Sequence, residues 1–299
     1  MRKLILSLTL GSVLAIAGTG CLKDKGYEAQ DYGIQITEKK AVAFPESSSS
    51  PIVFGINSQV TPQTVDGPAI TLEQSGAAAS DVHVTVTVNQ TLVSDAGLTP
   101  LPAGSFSVTP LSVTIPAGAK LSDGIKVTVN NSSLLNPTIS YGVGLVITAV
   151  DNNYIIAANQ KSIVVAFNIK NKYDGVYNLR GFHNRPGLDI PYDEEVDMIT
   201  SGPNSVSMYW APAGDYAHPL NGGSTYYGTF TANFTFNPAT DQLIAWDWSP
   251  FATTLPTTVD PVSNSRYVPA TKTIYFKGWY NNNPGARAFT DTLVYLHAR

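Results

Sequence analysis

Between Val82 and Val88 apolar and polar positions alternate strictly. Val82, Val84, Val86 and Val88 share one face of an extended chain, and His83, Thr85 and Thr87 share the other. Such a strand buries its valines and leaves its hydroxyls to water. Shorter runs with strand character fall at 41–44, 51–56, 68–73, 105–108, 111–115, 124–130, 142–150 and 162–169. Turn-forming clusters divide them, among them Pro45-Glu46-Ser47-Ser48-Ser49-Ser50-Pro51 and Pro116-Ala117-Gly118.

This density of strands predicts an immunoglobulin-like β-sandwich over residues 39–170, although the paired cysteines of antibody domains are missing. Beyond Asn171 the texture becomes aromatic, and all four tryptophans (Trp210, Trp246, Trp248 and Trp279) lie there. Strands are expected near 174–182, 195–199, 205–210, 226–236, 242–248, 266–269, 273–280 and 287–297. In one of them Phe230, Ala232, Phe234 and Phe236 alternate with Thr229, Thr231, Asn233 and Thr235. Residues 171–299 therefore read as a second antiparallel domain, either a β-sandwich or a small β-barrel. No long window carries the charged face of an amphipathic helix, so the fold class is all-β.

The start of the chain follows another rule. Arg2 and Lys3 precede an apolar stretch, Leu4 to Ala17, which ends in Gly18, Thr19 and Gly20 just before Cys21. That is the layout of a secretory signal over residues 1–20. The stretch is shorter than the roughly 20 residues that cross a bilayer as a helix. Cys21 is the single cysteine, which excludes an intramolecular disulfide and a multi-cysteine metal site. Its place resembles the lipobox of bacterial lipoproteins, with Gly18 where an aliphatic residue is usual. The resemblance implies acylation of Cys21, outer-membrane anchoring, and a lipidated tether over 21–38. Cys21-Leu22-Lys23-Asp24-Lys25 loosely resembles the charged tag of lipoproteins that face the cell exterior.

Charged residues are only 13% of the chain and the net charge is −4, which leaves no basic surface suited to nucleic acid. From residue 22 to about 180 the chain resembles surface lipoproteins of Bacteroidetes polysaccharide-utilisation loci, whose first module is an immunoglobulin-like domain of unknown function. The lipoprotein start, the Val82–Val88 strand, Ser112-Val113-Thr114-Ile115-Pro116-Ala117-Gly118 and Lys170-Asn171-Lys172-Tyr173-Asp174-Gly175-Val176-Tyr177 carry the resemblance. It implies a polysaccharide or oligosaccharide ligand and a starch-utilisation-type transporter complex as partner. It identifies no ligand-binding residue.

The residues themselves suggest where a sugar could bind. Trp246 and Trp248 are two apart on one strand and share a face, so they form either an indole platform for sugar rings or a pair of core side chains. Tyr275 and Trp279 share a face opposite Ile274, Phe276 and Tyr280, and Asn282 lies in the adjoining polar loop 281–285. Asp189, Asp193, Glu194, Glu195 and Asp197 are read as a solvated turn, because neither the carboxylate geometry of a glycosidase nor a calcium loop follows from their spacing. His83, His183, His218 and His297 are read as surface or strand residues. G-x-S-x-G, H-E-x-x-H and a glycine-rich phosphate loop are all missing, so no catalytic residue, metal or cofactor is expected. The expected function is non-catalytic glycan binding at the cell surface, and the alternative is a structural or adhesive lipoprotein with a protein partner.

Overall fold

The computed structural model describes residues 40–186, 191–220, 223, 225–227, 231–249 and 256–299. Cys21, the signal and tether segments, and Asp189 lie outside the described residues. Two hydrophobic cores fill the described chain, one drawn from residues between Val42 and Ile169 and the other from residues between Tyr173 and Leu293.

The first core lies within a β-sandwich. In its larger sheet β2 (Ile52–Asn57) runs parallel to β12 (Ser162–Lys170). Then follow, each antiparallel to the last, β10 (Tyr141–Val150), β5 (Val82–Val88) and β8 (Ser112–Ile115), while the short β6 (Thr99–Pro100) runs parallel beside β10. Two three-stranded sheets complete the module. One orders β3 (Gln63–Asp66), β9 (Lys126–Val129) and β7 (Phe106–Thr109), and the other β11 (Ile155–Ile156), β1 (Ala41–Ala43) and β4 (Thr71–Glu73). Strand alternation builds the shared core. Val82, Val84 and Val86 are buried with Val113, Ile115, Val127 and Val129, whereas Val88 is exposed. The departure has a local cause, since the Asn89 side chain accepts the Thr91 N–H and the chain leaves the sheet for the one-turn helix α1 (Thr91–Asp95).

The second core fills a barrel. One sheet runs in the spatial order β19 (Leu243–Ser249), β18 (Thr231–Phe236), β15 (Ser205–Tyr209), β14 (Tyr192–Gly202), β13 (Gly175–His183), β23 (Ala288–His297), β22 (Thr273–Tyr280) and β20 (Thr257–Val259). β21 (Arg266–Val268) continues along β22, and β16 (His218–Leu220) with β17 (Thr225–Tyr227) forms a separate hairpin. The two ends of the sheet then meet. Leu243 N–H donates to Ser265 O at 3.0 Å, Gln242 bridges to Arg266, and Trp246 Nε1 donates to Thr258 O at 2.9 Å. The alternatives left by the sequence therefore resolve to a barrel, which removes most of the open edge that a sheet of this length would carry.

Inward positions alternate along five of the barrel strands: Tyr177 and Leu179, Val196 and Met198, Val206 and Met208, Phe234 and Phe236, Ile274 and Phe276. Trp246 joins them. It is 4% exposed and meets Phe276 and Phe289 edge-on, with centroids 5.1 and 5.9 Å away. Gly278 makes its room, for a Cβ there would lie 2.7 Å from both Trp246 Nε1 and Thr258 O.

Four residues carry the chain from β12 into the barrel. The Asn171 amide donates to Gly202 O and Ser205 O at 2.9 and 2.8 Å and accepts the Tyr173 N–H, so the crossover is fixed to the β14–β15 hairpin. Tyr173 stacks on Phe236 at 4.1 Å and donates its hydroxyl to Asp241, closing this end of the barrel. Its buried hydroxyl, beside that carboxylate, is held far above the ordinary phenol range.

Removing the indole from the closure should cost about 3–5 kcal/mol of stability. Trp246→Ala is expected to lower the denaturant midpoint accordingly, whereas Ile244→Ala, on the exposed face of the same strand, should change stability by less than about 0.5 kcal/mol.

Candidate functional site

The burial of Trp246 corrects the indole-platform reading. The ring is almost wholly buried and its nitrogen is bonded inside the barrel, so this residue offers no stacking surface to a sugar. Trp248 pairs through its backbone with Ala232, and its side chain lies outside the described residues.

The other predicted aromatics lie on the outer face of the barrel. Tyr275 is 44% exposed and Trp279 half-buried, and four residues at about 3.4 Å each set them roughly 13 Å apart along β22. Around them the register brings polar neighbours. Arg266 and Thr292 flank Tyr275, Thr258 flanks Trp279, and Thr290 lies beside Lys277, whose ammonium is 3.0 Å from Asp260. One strand further, Phe182 pairs with Thr290 and is 40% exposed. A shallow depression of about 200 Å³ between Tyr275, Lys277, Ser263 and Thr292 opens on the same face.

Phe182 was not singled out from the sequence, yet a signal was there. On β13 the inward positions are Tyr177, Leu179, Gly181 and His183, which leaves Phe182 among Asn178 and Arg180 on the polar side. An aromatic residue out of phase with its strand is the kind of exposed apolar group that marks an interaction surface.

Asn282 lies at the tip of the β22–β23 hairpin, exposed, with φ of 49°, and Asn281 precedes it at 55°. Asparagine tolerates this left-handed region better than most residues, so the run of asparagines has a turn-forming role as well as an exposed amide. Asn184 braces the hairpin by donating to Pro284 O at 3.0 Å.

The acidic segment is a strand rather than a turn. Within β14 Asp193, Glu195 and Asp197 alternate with Glu194, Val196 and Met198, so the carboxylates divide between the two faces of the sheet. Asp193 is held below the usual carboxylate range by the Asn178 amide and then by Arg180. Burial pushes Asp197 above it.

Two of the four histidines are buried at the far end of the barrel. His218, at the start of β16, places Nδ1 at 2.7 Å from Pro219 O and Nε2 at 3.2 Å from Asp291 Oδ2. Tyr192 donates its hydroxyl to the other Asp291 oxygen, and its own ionisation is pushed far up by burial and by that carboxylate. Gly181 lies opposite Asp291 in register, and a Cβ there would collide with both partners of that bond. This network ties the β16–β17 hairpin to the barrel wall. His183 stacks on Phe289 at 4.3 Å, and burial, reinforced by the charges of His218, Arg185 and Arg287, drives its imidazole down to about 3. His83 is exposed and pairs with Asp151 at 2.7 Å, and His297 is exposed as well. Among the described residues no group of three or more His, Cys, Asp or Glu side chains is arranged to hold a metal.

Comparison with known proteins finds a family model described as "-like, N-terminal domain" that matches residues 37–154, less than half of the chain and within the sandwich. No curated protein matches. Among solved structures, a protein of unknown function from Bacteroides ovatus is 14% identical with a TM-score of 0.49, over 86% of this chain and 95% of its own. A proposed carbohydrate-binding protein from Bacteroides ovatus is 12% identical with a TM-score of 0.35, over 67% of this chain and 65% of its own. A multidomain protein from the same species, which includes a domain of unknown function, is 13% identical with a TM-score of 0.35 over 85% of this chain and 92% of its own. These are distant likenesses to proteins of Bacteroides.

The neutral, buried His183 makes stability depend on pH. An unfolded histidine takes up its proton near pH 6.5 but the folded one only near 3, so stability is full above about 6.5 and falls by about 1.4 kcal/mol per unit as the pH drops between the two. His183→Phe, which keeps an aromatic ring in the stack, should lose about 2 kcal/mol less than the parent protein between pH 6.5 and 5 in denaturant titrations.

Proposed function

We propose that the protein is a non-catalytic glycan-binding lipoprotein of the bacterial cell surface, accessory to polysaccharide capture and uptake. The observation that carries this reading is the set of exposed Tyr275 and Phe182 and half-buried Trp279 on the outer face of the barrel, beside Thr258, Thr290, Thr292, Arg266 and Lys277. Sugars present apolar C–H faces and a rim of hydroxyls. An aromatic ring set among hydrogen-bonding groups matches both features. The spacing of Tyr275 and Trp279 suits an extended chain of sugar units better than a single one.

The other parts of the reading come from the start of the chain. An acylated Cys21 would anchor the protein to the outer membrane without spanning it, and the tether over 21–38 would lift the sandwich and barrel from the lipid. A starch-utilisation-type transporter complex is the partner this arrangement would serve. Glu194, alone of the described carboxylates in the acidic segment, is on the inward side of β14. With its sequence neighbours on the opposite face, that segment supplies no facing pair of carboxylates for hydrolysis.

Affinity electrophoresis against a panel of plant and host polysaccharides tests the reading. At least one glycan is expected to retard the protein, and Tyr275→Ala combined with Trp279→Ala should weaken that binding about tenfold or more with the circular-dichroism melt preserved. Retention of full affinity by the double variant, or no retardation by any glycan, would favour the adhesive alternative. Cys21→Ala should abolish metabolic labelling by a fatty-acid analogue and release the protein from the membrane fraction.

A further inference from the structure

Where the sandwich meets the barrel the chain encloses a cleft of about 310 Å³, whose lining includes Gln59, Lys170, Asp174, Lys272, Tyr295 and Arg299. The cleft is rich in positive charge although the protein as a whole is negative. Two of its cations have partners: Lys172 pairs with Asp241, and Arg299 Nη2 is 3.2 Å from Asp174 Oδ2. The other two pair with no Asp or Glu side chain among the described residues. Lys170 donates to the backbone carbonyl of Arg299, and the Lys272 ammonium lies 4.2 Å from the centre of the Tyr295 ring.

Asp174 supplies the complementary feature. Its side chain is only 2% exposed. Oδ2 accepts from the Thr200 N–H and the Thr200 hydroxyl, both at 2.8 Å, and from Arg299. Oδ1 is buried and has no donor among the described residues. An unsatisfied buried carboxylate oxygen is costly and rare, and a donor brought into the cleft would relieve that cost. The Arg299 guanidinium on the neighbouring Oδ2 is partly exposed.

We infer that this cleft is a second binding site, specific for an acidic sugar unit. The anionic group of the sugar meets the ammonium groups of Lys170 and Lys272, a ring hydroxyl donates to Asp174 Oδ1, and the ring packs towards Tyr295. A neutral sugar would bring no charge to the two lysines, and an anion without a hydroxyl, such as sulfate, would leave Asp174 Oδ1 without a donor. An acidic sugar carries both groups on one ring. The inference goes beyond the outer aromatic row and uses none of its residues, so the two sites fail or stand separately.

Titration calorimetry on the full chain separates the outcomes, with galacturonate, glucuronate and N-acetylneuraminate oligosaccharides as probes and a neutral oligosaccharide and sodium sulfate as controls. At least one acidic sugar should bind, more weakly at high salt, since screening reduces attraction to partly exposed lysines. Lys272→Ala and Lys170→Ala should each weaken it about tenfold, and Asp174→Asn should also weaken it, whereas the Tyr275→Ala, Trp279→Ala double variant should bind it as the parent does. Because Lys272 is exposed, its variant keeps the test valid if Asp174→Asn fails to fold. Binding of none of the three acidic sugars, equal affinity for sulfate, or unchanged affinity in the two lysine variants would overturn the proposal.

Discussion

The barrel depends on the join between β19 and the β20–β21 edge, where the Trp246 indole lies across the seam and donates to Thr258 O. A sheet with phenylalanine, tyrosine, methionine and tryptophan at its inward positions has to curl until its two edges meet, because an open sheet would leave that apolar face in water. The residue that completes the wall is thereby consumed by it. Trp246 cannot both seal the seam and stack on a ligand, and the absence of a side chain at Gly278 is what allows the indole to reach across.

Closing a barrel leaves two ends, and each is settled by polar chemistry. At the junction end Asn171, Asp174 and Thr200 join the crossover to the β14–β15 hairpin, while Tyr173 plugs the interior. At the other end Tyr192 and His218 converge on Asp291, where Gly181 provides the space. Buried polar groups of this kind hold a fold to one arrangement only when their bonds are made. Asp291 has both oxygens engaged. Asp174 has one oxygen engaged and one without a donor among the described residues, and that asymmetry distinguishes the structural end from the cleft.

With the interior filled by its own side chains, recognition is left to surfaces and to the space between the modules. The outer face of β13, β23 and β22 presents aromatic rings spaced for an extended ligand, and the cleft presents cations around a buried acceptor. Under the proposed reading one surface would take a long neutral chain and the other a single charged unit.

Strict alternation made much of this legible in the sequence. Val82, Val84 and Val86, and Phe234 with Phe236, were assigned to buried faces from a period of two, since that period follows from strand geometry alone. The same reasoning put Tyr275 and Trp279 on the face opposite Ile274 and Phe276. Short strands such as β3, β11 and β20 were missed, because two to four residues carry too little pattern to outweigh turn-rich surroundings. Alternation also gives two faces without saying which is inside, and for Trp246 the answer came from residues 12 to 43 positions away that close around it. The sequence by itself determined the all-β class and the sidedness of its longer strands, because these are local properties of an extended chain. The tertiary structure alone decided that the second module is a barrel, that His218 meets Asp291, and that Lys170, Asp174 and Lys272 share a cleft, because each depends on residues brought together from distant parts of the chain.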